Sequence, residues 1–137
     1  MKEIRLIYYS EATREISLLD IQEILKVARD NNRALDICGM LCYESFWFLQ
    51  VLEGEESKVK GLFDKIKKDE RHQDVVVVSE EKIDSKVFGE WQMGYAGSSC
   101  NFLGALKEIG QDEFSPEDMS SEQCLQFLES LTVSQTI

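Results

Sequence analysis

Residues 4–9 (Ile-Arg-Leu-Ile-Tyr-Tyr) have strand composition, and a period of two places Tyr8 on the face of Ile4 and Leu6, where a core belongs. From Ser17 the period lengthens. Leu18, Ile21, Ile24, Leu25 and Ala28 follow helical spacing, Ser17 and Asp20 read as a capping box, and the predicted helix ends near Asn31-Asn32. Residues 35–43 and 46–53 are two strand-like runs joined by Glu44-Ser45, a hairpin. The second run is apolar on both alternating sets except at Gln50, as expected of a central strand covered on both faces. Gly54 punctuates, and Val59, Leu62, Phe63 and Ile66 mark a second amphipathic helix to about Asp69. Valines 75–78 begin a fourth strand, and residues 90–96 form a fifth, with Trp91, Met93 and Tyr95 on one of its faces.

The order βαββαββ predicts an α+β fold resembling a ferredoxin-like layout: a five-stranded mixed sheet with two helices on one face. Residues 98–137 differ in character, with one basic and seven acidic residues, and Phe102, Leu103, Leu106 and Ile109, then Leu125, Phe127, Leu128 and Leu131, mark two short helices separated by Gly110 and Pro116. The expected organisation is a domain over 1–97 and a helical cap over 98–137. An apolar sheet face opposite the first two helices needs a cover, supplied by that tail folding back or by another subunit, and a homo-oligomer is expected.

Composition narrows the functions. With 26 acidic against 15 basic residues, a net charge of −11 and no segregated basic patch, the chain is not expected to bind nucleic acid. No stretch approaches the roughly 20 apolar residues of a membrane span, so a cytoplasmic protein is expected. Cys38, Cys42, Cys100 and Cys124 have no metal-ligand spacing, and His72 is the one histidine, so no metal site is expected. On one strand, Cys38 and Cys42 would lie about 13 Å apart at roughly 3.3 Å per residue, too far for a disulfide. No Gly-rich phosphate loop, Ser/His/Asp set or close carboxylate pair emerges, which speaks against an enzyme.

Three polar residues interrupt core positions. Asn32 extends the stripe of residues 21, 25 and 28, where an Asn is commonly a helix stop. Gln50 shares a face with Phe48 and Leu52 and must meet a polar partner, either a neighbour or a ligand, because an unpaired buried amide costs about 1–3 kcal/mol. Tyr8 is a core aromatic whose hydroxyl needs a partner, and pairing it with Gln50 would satisfy both. The run Lys65, Lys67, Lys68, Asp69, Glu70, Arg71, His72 reads as a solvated helix end, or as a seat for the anionic tail of a cofactor.

Together, Leu6-Ile7-Tyr8, Asn31-Asn32, Gly39-Met40-Leu41-Cys42-Tyr43, Phe48 to Gly54, Asp69 to His72 and Trp91-Gln92-Met93 resemble the BLUF family of blue-light photoreceptors over about residues 3–96. The tail resembles the helical extension of its short, stand-alone members. The resemblance implies a non-covalent flavin, commonly FAD, with FMN or riboflavin as alternatives, lying between the two helices. Asn31 and Asn32 would bond its polar edge, Ile24 and Ile66 would flank the ring, and Phe48 would pack nearby. Lys65, Asp69, Arg71 and His72 would surround the ring edge and side chain. Two positions depart from the family pattern: Cys38 stands where a small hydroxyl residue is common, and Lys65 where Arg is, which removes a bidentate phosphate donor.

The implied photochemistry belongs to Tyr8, Gln50, Trp91 and Met93. Tyr8 would supply an electron and proton that later return. Gln50 would rotate or tautomerise and rewire its bonds to Tyr8 and the flavin C4 carbonyl, giving a red-shifted signalling state. Which of Trp91 and Met93 faces the flavin in the dark is open. The output would be altered association with itself or with a separate effector protein. The competing readings are a flavin-dependent redox enzyme and a flavin-free interaction module.

Overall fold

In the computed structural model, which describes residues 2–96 and 100–132, the alternation at residues 4–9 belongs to a ten-residue strand, β1 (Glu3–Ala12). The capping box forms as expected: Ser17 accepts from the Asp20 backbone N–H, and the Asp20 carboxylate accepts from the Ser17 backbone N–H at 2.9 Å. It opens α1 (Leu18–Leu35), which runs past Asn31-Asn32, the expected end. Asp36 makes the turn instead, at φ 56°, with its N–H donating to the Asn32 carbonyl.

Strands β2 (Cys38–Glu44) and β3 (Trp47–Glu55) form the hairpin, with Glu44 opposite Trp47 and the turn at Ser45-Phe46 rather than Glu44-Ser45. Both turn residues have positive φ, 53° and 69°, the geometry whose twist matches the flanking strands. Gly54 does not end β3. It lies where the junction of α1 and β2 crosses closely, and a Cβ there would meet Ile37 Cγ1 at 3.2 Å and the Asp36 carbonyl at 3.3 Å.

After α2 (Glu56–Lys68), β4 begins at His72, three residues before the valines, and runs to Ile83. The last strand, β5, is only Gly94–Ala96, so residues 90–93 are not strand as expected. The sheet order is β4-β1-β3-β2-β5, with every pairing antiparallel except β2 with β5. This is the mixed five-stranded ferredoxin-like sheet, with β3 at its centre.

The two sheet faces carry separate cores. Ile4, Leu6, Tyr8, Phe48 and Leu52 pack against Ile21 and Leu25 of α1 and Val59 and Phe63 of α2. Ile7, Met40, Cys42, Leu49 and Val51 point the other way. They meet α3 (Cys100–Glu108), a 3₁₀ turn (Pro116–Asp118) and α4 (Ser121–Leu131) through Phe102, Leu106, Phe127 and Leu128. The tail itself therefore covers the second face. The expected boundary at residue 97 lies outside the described residues.

Cys38 and Cys42 lie along β2 as free, buried thiols. Burial pushes the Cys42 thiol well above its ordinary range, with Glu44 adding to the effect, so it behaves as a small hydrophobe.

Candidate functional site

The register of β1 on β3 sets Tyr8 directly opposite Gln50, both on the face toward α1 and α2. The Tyr8 hydroxyl donates to Gln50 Oε1. At the other end of the same amide, Gln50 Nε2 donates to the Met93 sulfur at 3.4 Å. Tyr8 is 1 % exposed, and its ring lies 5.0 Å from that of Phe63. Burial raises the phenol's pKa far above its ordinary value, and the negative charge of Asp69 raises it further. Tyr8 is thus a neutral phenol at any physiological pH, with its proton aimed at an amide oxygen.

Tyr8, Gln50 and Met93 line a cavity of about 160 Å³ between the two helices. Ile24, Asn31 and Asn32 reach it from α1, Lys65 and Ile66 from α2, Asp69 and Arg71 from the loop after α2, and His72 from the start of β4. Phe48 lines it from β3, with its ring 4.4 Å from His72. Asn32 is fully buried. Its Nδ2 donates to the Gln92 carbonyl at 2.5 Å, while its Oδ1 is the one buried side-chain polar atom without a partner among the described residues. Arg71 bonds Glu23 of α1 at 2.7 Å, while its own backbone N–H is held by Asp69 at 2.9 Å. Lys65 and Arg71 bring positive charge to the cavity rim, with that of Arg71 shared between Glu23 and Asp69.

Trp91 is absent from this cavity, contrary to the expectation that it shares a face with Met93. Residues 90–93 are irregular, and the alternation rule fails there because hydrogen bonds from outside the strand fix the chain. The Gly39 N–H donates to the Trp91 carbonyl at 3.0 Å, the Trp91 N–H donates to the Phe88 carbonyl at 3.0 Å, and Arg29 Nε donates to the Met93 carbonyl at 3.0 Å. Met93 is 2 % exposed on the α1/α2 side, and Trp91 packs against the α3/α4 core. Gly39 permits this approach, since a Cβ there would stand 2.1 Å from the Val51 carbonyl oxygen and 3.3 Å from the Met93 methyl.

Ser10, Val27, Ala28, Leu41 and Leu62 join the site without having been expected there. Ser10 lies two residues beyond Tyr8 on one face of β1 and bonds His72 Nδ1 at 2.6 Å. Val27 and Ala28 follow Ile24 at helical spacing, Leu62 precedes Ile66 by one turn, and Leu41 sits opposite Gln50 across the hairpin. Val27, Ala28 and Leu62 were legible from helical periodicity and Ser10 from strand alternation, whereas Leu41 was not, because a turn at Glu44-Ser45 would have set Gly39 opposite Gln50.

Burial lowers the His72 pKa below its ordinary 6.5, offset in part by Asp69 and reinforced by Arg71. The folded imidazole binds its proton more weakly than the unfolded one. His72 therefore contributes no pH dependence above about 6.5 and costs stability as pH falls below it, until the folded-state value is passed. With one histidine in the chain, an NMR titration of its ring protons reads this directly. The midpoint is expected below 6.5, and a midpoint at or above that value contradicts the assignment.

Among the described residues, no helix is long and apolar enough to cross a membrane, and no group of three or more His, Cys, Asp or Glu could hold a metal ion. A family model for sensors of blue light using FAD matches residues 4–94. The chain is 42 % identical over 86 residues to photoactivated adenylate cyclase subunit alpha of Euglena gracilis, a match covering 63 % of this chain and 8 % of that protein. It is 39 % identical over 89 residues to subunit beta of Euglena longa, covering 64 % and 10 % respectively. The chain thus spans a tenth or less of these curated relatives. Among solved structures, photo-activated BlsA is similar at a TM-score of 0.89 and 35 % identity, covering 98 % of this chain and 99 % of that one. The dark-state structure of BlrB, a BLUF protein, gives 0.79 at 27 % identity, covering 97 % of each. By the match over residues 4–94 and a fold shared nearly end to end with such sensors, this chain belongs to the BLUF family.

Proposed function

We propose that the chain is a blue-light sensor whose photochemical pair is Tyr8 and Gln50, and whose output is a change in protein association. The observation that carries this is the Gln50 carboxamide, held at its oxygen by Tyr8 and at its nitrogen by Met93 in a cavity lined by α1 and α2.

The residues suit a flavin, with FAD proposed ahead of FMN or riboflavin. Asn32 Oδ1 is an unmet acceptor, which an imide N–H at a flavin's polar edge would satisfy, with Asn31 beside it. Ile24 and Ile66 would flank the ring, and Phe48 and His72 would pack at its edge. Lys65 and Arg71 would meet the phosphates, and Asp69 would hold Arg71. A bound flavin supplies blue-light absorption and, once excited, an electron acceptor.

Tyr8 can give up an electron with its phenolic proton and take both back, which a Phe could not do. Gln50 carries an acceptor and a donor on one side chain, so a half turn of the amide exchanges them without backbone movement. Met93 tolerates that turn, because a thioether is a weak acceptor and the side chain has several rotamers. In this reading residues 1–97 form the sensing unit, and the cap of 98–137 passes the change to a second copy or to a separate effector in the cytoplasm. In this reading the chain is a sensor and not an enzyme, and the titratable groups of the cavity serve to hold the pigment: His72 is tied to Ser10, and Asp69 to the Arg71 backbone.

Purified in darkness, the protein should show a flavin band that shifts reversibly to the red after blue light, and chromatography of the released pigment should identify it as FAD. A colourless protein, or a spectrum that light leaves unchanged, overturns the reading; steady NADH consumption in darkness would point to a flavin redox enzyme. Asn32→Ala should weaken flavin binding about fivefold, which is one hydrogen bond of about 1 kcal/mol. Flavin titration of the apoprotein checks this, and unchanged affinity removes Asn32 from the site.

A further inference from the structure

Where the cap meets the β2–β3 hairpin, on the sheet face away from the cavity described above, the surface dips into a groove of about 580 Å³. Its floor is apolar. Phe102, Leu106 and Phe114 contribute buried surface, and Trp47 lies half-buried with its ring 5.9 Å from Tyr9. Leu103 stands one residue off the stripe that anchors α3, and it is 58 % exposed. Around this floor stand Glu44, Asp112 and Glu113, and no Lys or Arg lines the groove. None of the three carboxylates has a cationic partner among the described residues. Asp112 and Glu113 continue into an adjoining hollow that also contains Asp118.

An apolar floor inside an unneutralised acidic rim selects its occupant by charge. Anionic partners are repelled, and a purely apolar one leaves the rim unmatched. A second copy of this chain is a poor fit, because the chain is itself acidic, with 26 Asp and Glu against 15 Lys and Arg, and on α2 Lys58, Lys60 and Lys67 already pair with Glu55, Glu56 and Asp64. We propose that this groove docks a basic, amphipathic segment of a partner protein. An apolar side chain of that segment would seat on Trp47 and Leu103, and its lysines or arginines would lie against Glu44, Asp112 and Glu113. The proposal gives a chemistry to the partner proposed above, yet docking can be measured in darkness. Its failure is therefore distinguishable from failure of the photochemical reading.

The test uses the flavin-loaded 137-residue chain and a labelled peptide of Leu, Trp and Lys in helical amphipathic order, alongside the same peptide with Glu for every Lys. Fluorescence anisotropy should show the lysine peptide binding, with affinity falling as salt rises, and the glutamate peptide failing to bind. Asp112→Lys with Glu113→Lys, and separately Leu103→Asp, should each weaken binding at least about tenfold. Asp30→Lys, on α1 across the sheet, should leave it unchanged. All of these positions except the Leu103 side chain are ordinary surface charges, and an unaltered urea-unfolding midpoint certifies the fold of each variant. Equal binding of both peptides, or indifference to the groove substitutions, overturns the proposal. So does concentration-dependent dimerisation that Leu103→Asp abolishes, because the groove would then be covered by a second copy.

Discussion

Tyr8→Phe is expected to keep its flavin and lose the light-induced red shift completely. The substitution removes one oxygen and leaves the ring in its buried place against Phe63. The cavity walls on α1 and α2 are untouched, so the pigment should stay bound. What disappears is the hydroxyl that donates to Gln50 Oε1 and the means of releasing a proton with an electron. The carbonyl end of the amide is then left without its donor, so the variant should also unfold slightly more easily, by about 1–3 kcal/mol. Difference spectra before and after blue light decide the matter. A shift of ordinary size in the variant would strip Tyr8 of its role while leaving the family assignment intact.

Glu53→Ala should destabilise the protein by roughly 3–5 kcal/mol, the expected scale for removing one partner of a buried ion pair. Glu53 lies on β3 and is 0 % exposed. Its carboxylate accepts from Arg5 Nε at 2.8 Å and from the backbone N–H groups of Val87 and Phe88 at 3.1 and 2.7 Å. Arg5, 7 % exposed, would keep only its 3.0 Å bond to the solvent-facing Glu81, and two backbone donors would lose their acceptor. Urea unfolding measures the loss. Glu53→Gln should fall between wild type and Ala, because it retains an acceptor oxygen for the backbone but not the charge that meets Arg5. A loss under about 1 kcal/mol for the Ala variant would mean that the surroundings relax to rescue the guanidinium.

These two sites differ in how far local pattern reveals them. Tyr8 and Gln50 were legible because strand alternation is local. A Gln inside an otherwise apolar strand and a Tyr on a core face together announce a polar pair, and the resemblance then supplies its chemistry. The Ser17 cap and the tail stripes of Phe102 and Phe127 were legible for the same reason. Glu53 was not, since its partners lie 34, 35 and 48 residues away along the chain. The hairpin turn escaped because Ser45 and Phe46 adopt positive φ without the Gly or Asn that usually advertises it. The helix end escaped because Asp36 takes the left-handed position, while Asn32 stays helical and spends its side chain on Gln92. The assignment of Trp91 and Met93 to one face failed where long-range bonds override alternation.

Those bonds also limit how the two residues can exchange. Trp91 and Met93 face opposite cores, and the carbonyls of residues 91, 92 and 93 are each gripped by a different donor: Gly39, Asn32 and Arg29. Bringing the indole to the methionine's place would mean freeing all three anchors together and threading the ring past the edge of β2. Such a step belongs with local unfolding, on microseconds to seconds, and not with the picosecond-to-nanosecond hops of an exposed side chain. A thioether that swings aside while its backbone stays moored is the faster motion, so spectroscopy resolved in time should find methionine displacement well before any tryptophan signal changes.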